Sequence, residues 1–182
     1  MREIEIKARL TDVASALDKL ARLGITMSEA IKQHDVVYSE PGSDKNPRDA
    51  NWLRIRIEDD SKVILTLKRS VTGELDSIEH EVIVSNAEEM TKILSYLGFS
   101  LYSDLTKTRQ KGHMDNIEVC IDTIEGLGSF IEAEMLCDDN ANIKKITKQL
   151  WAFFDKLEIA RDQELTSGYD VLMRQQLGAG KS

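Results

Sequence analysis

The sequence predicts an α+β fold in which eight strands close into an antiparallel β-barrel, with a charged interior and an apolar exterior covered by amphipathic helices. Three observations carry this. Apolar residues recur at helical intervals in several segments, and eight short segments between them alternate apolar with charged residues. Within most of those strands the charges on the polar face are of one sign, so they gain nothing unless strands of opposite sign face them across a closed space.

A strand at Glu3 to Leu10 comes first, followed by a helix read from Val13, Ala16, Leu17, Leu20 and Leu23 that ends at Gly24, a residue suited to the C′ position. Strands follow at Gln33 to Tyr38, Leu53 to Glu58, Val63 to Lys68 and Ile78 to Val84. The only prolines, Pro41 and Pro47, fall in the polar stretch Ser39 to Asn51, which reads as a long loop. Met90, Ile93, Leu94 and Leu97 mark a second helix ending at Gly98, with Ser85 and Glu88 at capping-box spacing ahead of it. Strands at Leu105 to Lys111, Ile117 to Asp122 and Phe130 to Leu136 lead to a third helix carrying Ile143, Ile146, Leu150, Trp151, Phe154 and Leu157. A short helix spans Tyr169 to Leu177. Residues 1–177 are read as one domain and 178–182 as a flexible tail. The halves repeat: REIEIKARLTDVASALDKLARLGI and SIEHEVIVSNAEEMTKILSYLGF share an E-x-E strand, a polar cap, an amphipathic helix and a Leu-Gly-apolar step.

The net charge of −8 and pI near 5.0 argue against a general binder of nucleic acid or anionic membrane. Cys120 and Cys137 are too few for a disulfide framework and lack C-x-x-C spacing, which fits a reducing, cytoplasmic location. No apolar run reaches membrane-spanning length, and the chain is charged from residue 2. Trp151, Phe153 and Phe154 sit at core-helix spacing. His80 lies on the apolar face of its strand and reads as a packed core histidine. His34, His80 and His113 show no metal-ligand spacing.

The charged faces carry the chemistry. Basic residues (Lys7, Arg54, Arg56, Lys68, Lys107 and Arg109) offer multidentate donors for phosphate oxygens. Acids (Glu3, Glu5, Glu79, Glu81, Glu118, Asp122, Glu132 and Glu134) include E-x-E pairs, hard oxygen ligands for Mg²⁺ or Mn²⁺. Together these leave a small negative excess that divalent cations with a polyphosphate would complete.

The order of these motifs resembles the CYTH superfamily, the triphosphate tunnel metalloenzymes. Glu3-Ile4-Glu5-Ile6-Lys7 is similar to its E-x-E-x-K signature. It is followed in order by Gln33-x-Asp35-x-x-Tyr38, Leu53-Arg54-Ile55-Arg56, Leu65-Thr66-Leu67-Lys68, Glu79-x-Glu81, Lys107-x-Arg109, Asp122 and Gly126-Leu127-Gly128-Ser129-Phe130-Ile131-Glu132-Ala133-Glu134. The Q-x-D-x-x-Y and G-L-G-x-F-x-E-x-E segments look most like the class IV adenylyl cyclase branch. That resemblance implies a tunnel converting ATP to cyclic AMP and pyrophosphate with Mg²⁺ or Mn²⁺. Thiamine triphosphatase, inorganic tripolyphosphatase and a non-catalytic polyphosphate-binding or nucleotide-binding module are the alternatives. It further implies Lys7, Arg54, Arg56, Lys68, Lys107 and Arg109 as triphosphate clamps, with Lys7, Arg56, Lys107 and Arg109 catalytic. Glu3, Glu5, Asp122, Glu132 and Glu134 are the implied metal set, and Asp35, Tyr38, Glu79 and Glu81 supporting residues. Where the family often has a tyrosine after the Lys-x-Arg strand, this chain has Gly112 and His113. The expected partner is a small triphosphate, with no nucleic acid and no membrane, and a homodimer is left open.

Overall fold

A computed structural model describes residues 2–42, 50–73 and 75–179. Its elements in order are β1 (Arg2–Leu10), α1 (Val13–Arg22), β2 (Ile31–Ser39), β3 (Asn51–Glu58), β4 (Lys62–Gly73), β5 (Asp76–Val84), α2 (Ala87–Tyr96), β6 (Ser100–Met114), β7 (Ile117–Ile124), β8 (Gly128–Cys137), α3 (Ile143–Lys156), β9 (Glu164–Leu165) and α4 (Tyr169–Ala179). The sheet order is β5-β4-β3-β2-β6-β7-β8-β1, and β5 also pairs with β1, so eight strands form a closed antiparallel barrel. The two-residue β9, which the sequence did not announce, adds to β1 opposite Lys7 and Ala8. The polar loop after β2 falls mostly on residues 43–49, and the end of the predicted tail on residues 180–182; both lie outside the described residues.

The chain divides into two compact units. The first comprises Met1–Ile31 and Thr108–Thr166. Its core is made by the apolar faces of β1 (Ile4, Ile6, Ala8), β7 (Val119, Ile121) and β8 (Ile131, Ala133), covered by Ala16 and Leu20 of α1 and by Ile146, Leu150, Trp151, Phe153 and Phe154 of α3. The aromatic run is therefore core. Trp151 meets Phe154 edge-on at 5.5 Å, an arrangement aromatic pairs favour.

The second unit, Lys32–Lys107 with Ser167–Ser182, packs Leu94 of α2 against Tyr38 and Ile55, flanked by Val36, Leu53, Val63 and Leu65. In this cluster α2 covers β2, β3 and β4. The outward side of β5 gets no such cover, so His80 is exposed rather than a packed core histidine, and Val82 is 57% exposed.

The duplicated pattern has a structural counterpart. Asp12 caps α1 by accepting from the Ser15 N–H at 2.9 Å, and Asn86 caps α2 by accepting from the Glu89 N–H at 2.9 Å. The cap thus sits one residue beyond Ser85. Both helices end in glycines with positive φ, Gly24 at 78° and Gly98 at 88°. Just past them, the Ile25 and Phe99 N–H groups return to the Leu20 and Leu94 carbonyls.

Gly112 answers to packing rather than to backbone conformation. A Cβ there would lie 2.6 Å from Met27 Sδ and 2.7 Å from Ile25 Cγ2, because residues 25–28 run against β6 and Ser28 N–H donates to the Lys111 carbonyl at 2.7 Å. Gly112→Ala is expected to cost about 1–3 kcal/mol through overpacking, read as a lowered urea midpoint at unchanged slope.

Candidate active site

In the first unit, strand register stacks the polar face into rungs. Glu5 stands opposite Glu134, which stands opposite Glu118; one rung along are Lys7, Glu132 and Cys120, and then Arg9, Phe130 and Asp122. Three carboxylates in one rung repel strongly in a partly buried wall. Burial, followed by the charges of Glu3, Glu132, Glu5 and Glu118, pushes the Glu134 carboxyl up to about 9.

The next rung is internally compensated. The Lys7 ammonium lies 2.9 Å from Glu5 Oε1 and 2.9 Å from Glu132 Oε1. Burial opposes its charge, but Glu132 and Glu5 outweigh burial and raise its pKa. Arg109 makes a two-point contact with Asp122, Nε to Oδ1 being 2.7 Å, and its Nη2 also reaches Glu132. All three side chains are buried; Asp122 is 0% exposed. Lys111 pairs with Glu118 and, against the effect of burial, helps lower that carboxyl's pKa.

Of the five acids expected to hold metal, the structure gathers Glu3, Glu5 and Glu134, whose carboxylate oxygens lie within 4.8 Å of one another. Glu132 and Asp122 are turned instead to Lys7 and Arg109. An all-carboxylate set with one member driven towards its neutral form has the donor chemistry and the charge deficit that a hard divalent cation satisfies. Cys120 lies within the same distance of Glu118 and Glu134, but burial pushes its thiol up, away from the thiolate that soft-metal or redox chemistry needs.

In the second unit the rungs run Asp35, Arg56, Ile64; then Val37, Arg54, Thr66, Glu81; then Ser39, Trp52, Lys68, Glu79. Arg56 grips Asp35 through Nε and Nη2, each at 2.7 Å. Burial works against the Asp35 charge, yet Arg56 overrides it and holds the carboxyl well below the usual range. Asp35 is thus an anchor for Arg56 and a poor proton acceptor. Lys68 lies 2.9 Å from Glu79, and Lys68 with Arg54 overcomes burial to bring that carboxyl down to about 2. Arg54 reaches Thr66 and Glu81, while its buried Nε finds no partner among the described residues. Lys107 is buried, its ammonium 5.1 Å from the centre of the Tyr169 ring.

Tyr38 does not belong to this wall. It shares a face with Val36, packs beneath α2 and shares a hydrogen bond with the Thr91 hydroxyl at 2.9 Å. Trp52, second residue of β3, stands on the same face as Arg54 and Arg56. It extends the alternation one residue ahead of the strand start predicted at Leu53.

Residues 1–169 match the CYTH domain, and the chain belongs to that family. A Methanocaldococcus jannaschii protein provisionally named adenylate cyclase MJ0240 is 28% identical over 172 residues, covering 93% of this chain and 97% of the relative. A Pyrococcus furiosus protein described as conserved and hypothetical has the same fold, with a TM-score of 0.81 at 21% identity over 93% of this chain and 99% of the other. So does the Hippeastrum protein HpAC1, titled as an adenylyl cyclase candidate with a dominant triphosphatase activity, at TM-score 0.64 and 19% identity over 97% and 96% of the two chains. Among the described residues no helix is long and apolar enough to cross a membrane.

Proposed function

We propose that the protein is a divalent-metal-dependent enzyme of class IV adenylyl cyclase type, converting ATP to cyclic AMP and pyrophosphate. The observation that carries this is the acid triad Glu3, Glu5 and Glu134, whose Glu5 and Glu134 members stand one rung from the Lys7 and Glu132 pair. Such a wall suits a metal-bound polyphosphate and would be hostile to a bare polyanion. The orphaned Nε of Arg54, a buried cationic donor, supports an anionic ligand in the second unit. Bound Mg²⁺ or Mn²⁺ would neutralise phosphate charge.

In this reading Lys7, Arg54, Arg56, Lys68, Lys107 and Arg109 hold the triphosphate, and Asp35, Asp122, Glu79 and Glu132 fix the directions of the cations. Cyclisation forms the bond from the ribose 3′-oxygen to the α-phosphorus and breaks the bond to pyrophosphate, with the 3′-hydroxyl proton lost to solvent or a base. Positioning and charge neutralisation would supply most of the rate. Triphosphate hydrolysis is the second reading, favoured by the activity named for the Hippeastrum protein. Purified protein with Mn²⁺ is expected to turn ATP into cyclic AMP and pyrophosphate in equal amounts. Orthophosphate from ATP, tripolyphosphate or thiamine triphosphate would replace the cyclase reading with the hydrolase, and absence of any product would overturn both.

A further inference from the structure

We propose that Trp52 and Tyr102, steadied by Arg174, form a nucleobase-stacking subsite, so that the substrate is a nucleoside triphosphate rather than a bare polyphosphate. This rests on the triphosphate reading above and adds what lies at the far end of the ligand.

Trp52 is out of place as a structural residue. It is a large aromatic on the face otherwise occupied by Arg54 and Arg56, directly opposite Lys68, and it belongs to neither apolar cluster of the described residues. It is half-buried, as is Tyr102, whose ring meets it at 4.7 Å with planes at 69°. The Arg174 guanidinium lies 4.3 Å from the centre of the Tyr102 ring. Arg174 comes from α4 and lies beyond the residues matched by the CYTH domain.

The spacing suits a nucleotide. At roughly 3.3 Å per residue, Trp52 stands about 7 Å along β3 from Arg54 and about 13 Å from Arg56. That is comparable to the span from the base to the outer phosphates of an extended nucleoside triphosphate. A partly exposed indole beside a phenol offers a flat apolar surface on which a purine stacks, while Arg174, lying over the phenol ring, steadies it. Bare tripolyphosphate would use the cations and leave the aromatic pair untouched.

The test uses the full chain with Ca²⁺ in place of Mg²⁺ to restrain turnover, titrated separately with ATP and with inorganic tripolyphosphate. The only other tryptophan, Trp151, is buried in the α3 core, so emission changes on binding report Trp52. ATP should quench that emission and tripolyphosphate should not. Trp52→Leu should weaken ATP binding by about tenfold while leaving tripolyphosphate within about twofold. Trp52→Phe, which keeps a ring, should retain most of the ATP affinity and lose the optical signal. Equal effects of Trp52→Leu on both ligands, or none on ATP, would overturn the stacking subsite alone. Failure of the native protein to bind either ligand would instead overturn the triphosphate reading, and the subsite with it.

Discussion

Replacing Arg109 with alanine is expected to destabilise the protein by about 3–5 kcal/mol, a fall in Tm of roughly 6–20 °C. The size follows from what is left behind. Arg109 is the shared partner of Asp122 and Glu132, and both carboxylates are buried, Asp122 completely. Removing the guanidinium takes from the fully buried Asp122 its two-point cationic contact and leaves Glu132 with its Lys7 contact, so the larger cost falls on Asp122. The loss should also depend on pH, with a definite sign. Without the cation, the buried Asp122 carboxyl is less costly to hold protonated than ionised. The folded variant then favours the protonated acid, so its deficit should be greatest near neutrality and shrink towards pH 4. Arg109→Lys should fare better than alanine yet worse than native, since an ammonium cannot reproduce the two-point contact. Thermal melts of the three proteins across pH would check this. A neutral Arg109→Ala melt at pH 7 would show that water already compensates these acids.

Much of the architecture was legible because two periodicities with different causes do not interfere. Glu3, Glu5 and Lys7 alternating with Ile4, Ile6 and Ala8 identify both the strand and its two environments, since a residue placed on the wrong face would be unpaired or unburied. The helix ends were legible for a similar reason: Gly24 and Gly98 occupy backbone conformations that few other residues accept. Pairings were less legible. Which acid holds a cation in place and which belongs to a carboxylate cluster depends on register, and register joins residues more than a hundred positions apart, as with Lys7 and Glu132. Thus Asp122 and Glu132, indistinguishable in sequence from Glu5 and Glu134, stand against Arg109. His80 shows the complementary error. An apolar alternation identifies a face, but burial needs a covering element, and the α2 cluster covers β2, β3 and β4 without reaching that face of β5.

Glu134→Gln is expected to separate stability from metal affinity in opposite directions. The Glu134 carboxyl, raised to about 9 from an ordinary 4.5, remains protonated in the folded chain across a range where the unfolded chain has already ionised. The folded state then holds the extra proton, so metal-free stability should be full below about pH 4.5 and decline as pH rises towards 9. A divalent cation at the proposed Glu3, Glu5 and Glu134 site must displace that proton at neutral pH. Native metal affinity should therefore climb with pH, by at most about tenfold per unit, and level off above the Glu134 pKa. Glutamine keeps the shape and removes the charge. The variant should melt higher than native metal-free protein at pH 8, lose most of the pH slope in its stability, and bind Mn²⁺ more weakly by on the order of 100-fold. Turnover should fall with the metal affinity and recover partly at high Mn²⁺, whereas chelation should silence the native enzyme outright. Calorimetric titrations of Mn²⁺ in buffers of different ionisation enthalpy would count the released proton. A Glu134→Gln protein that lost stability at pH 8, or bound Mn²⁺ as the native chain does, would remove Glu134 from the metal site.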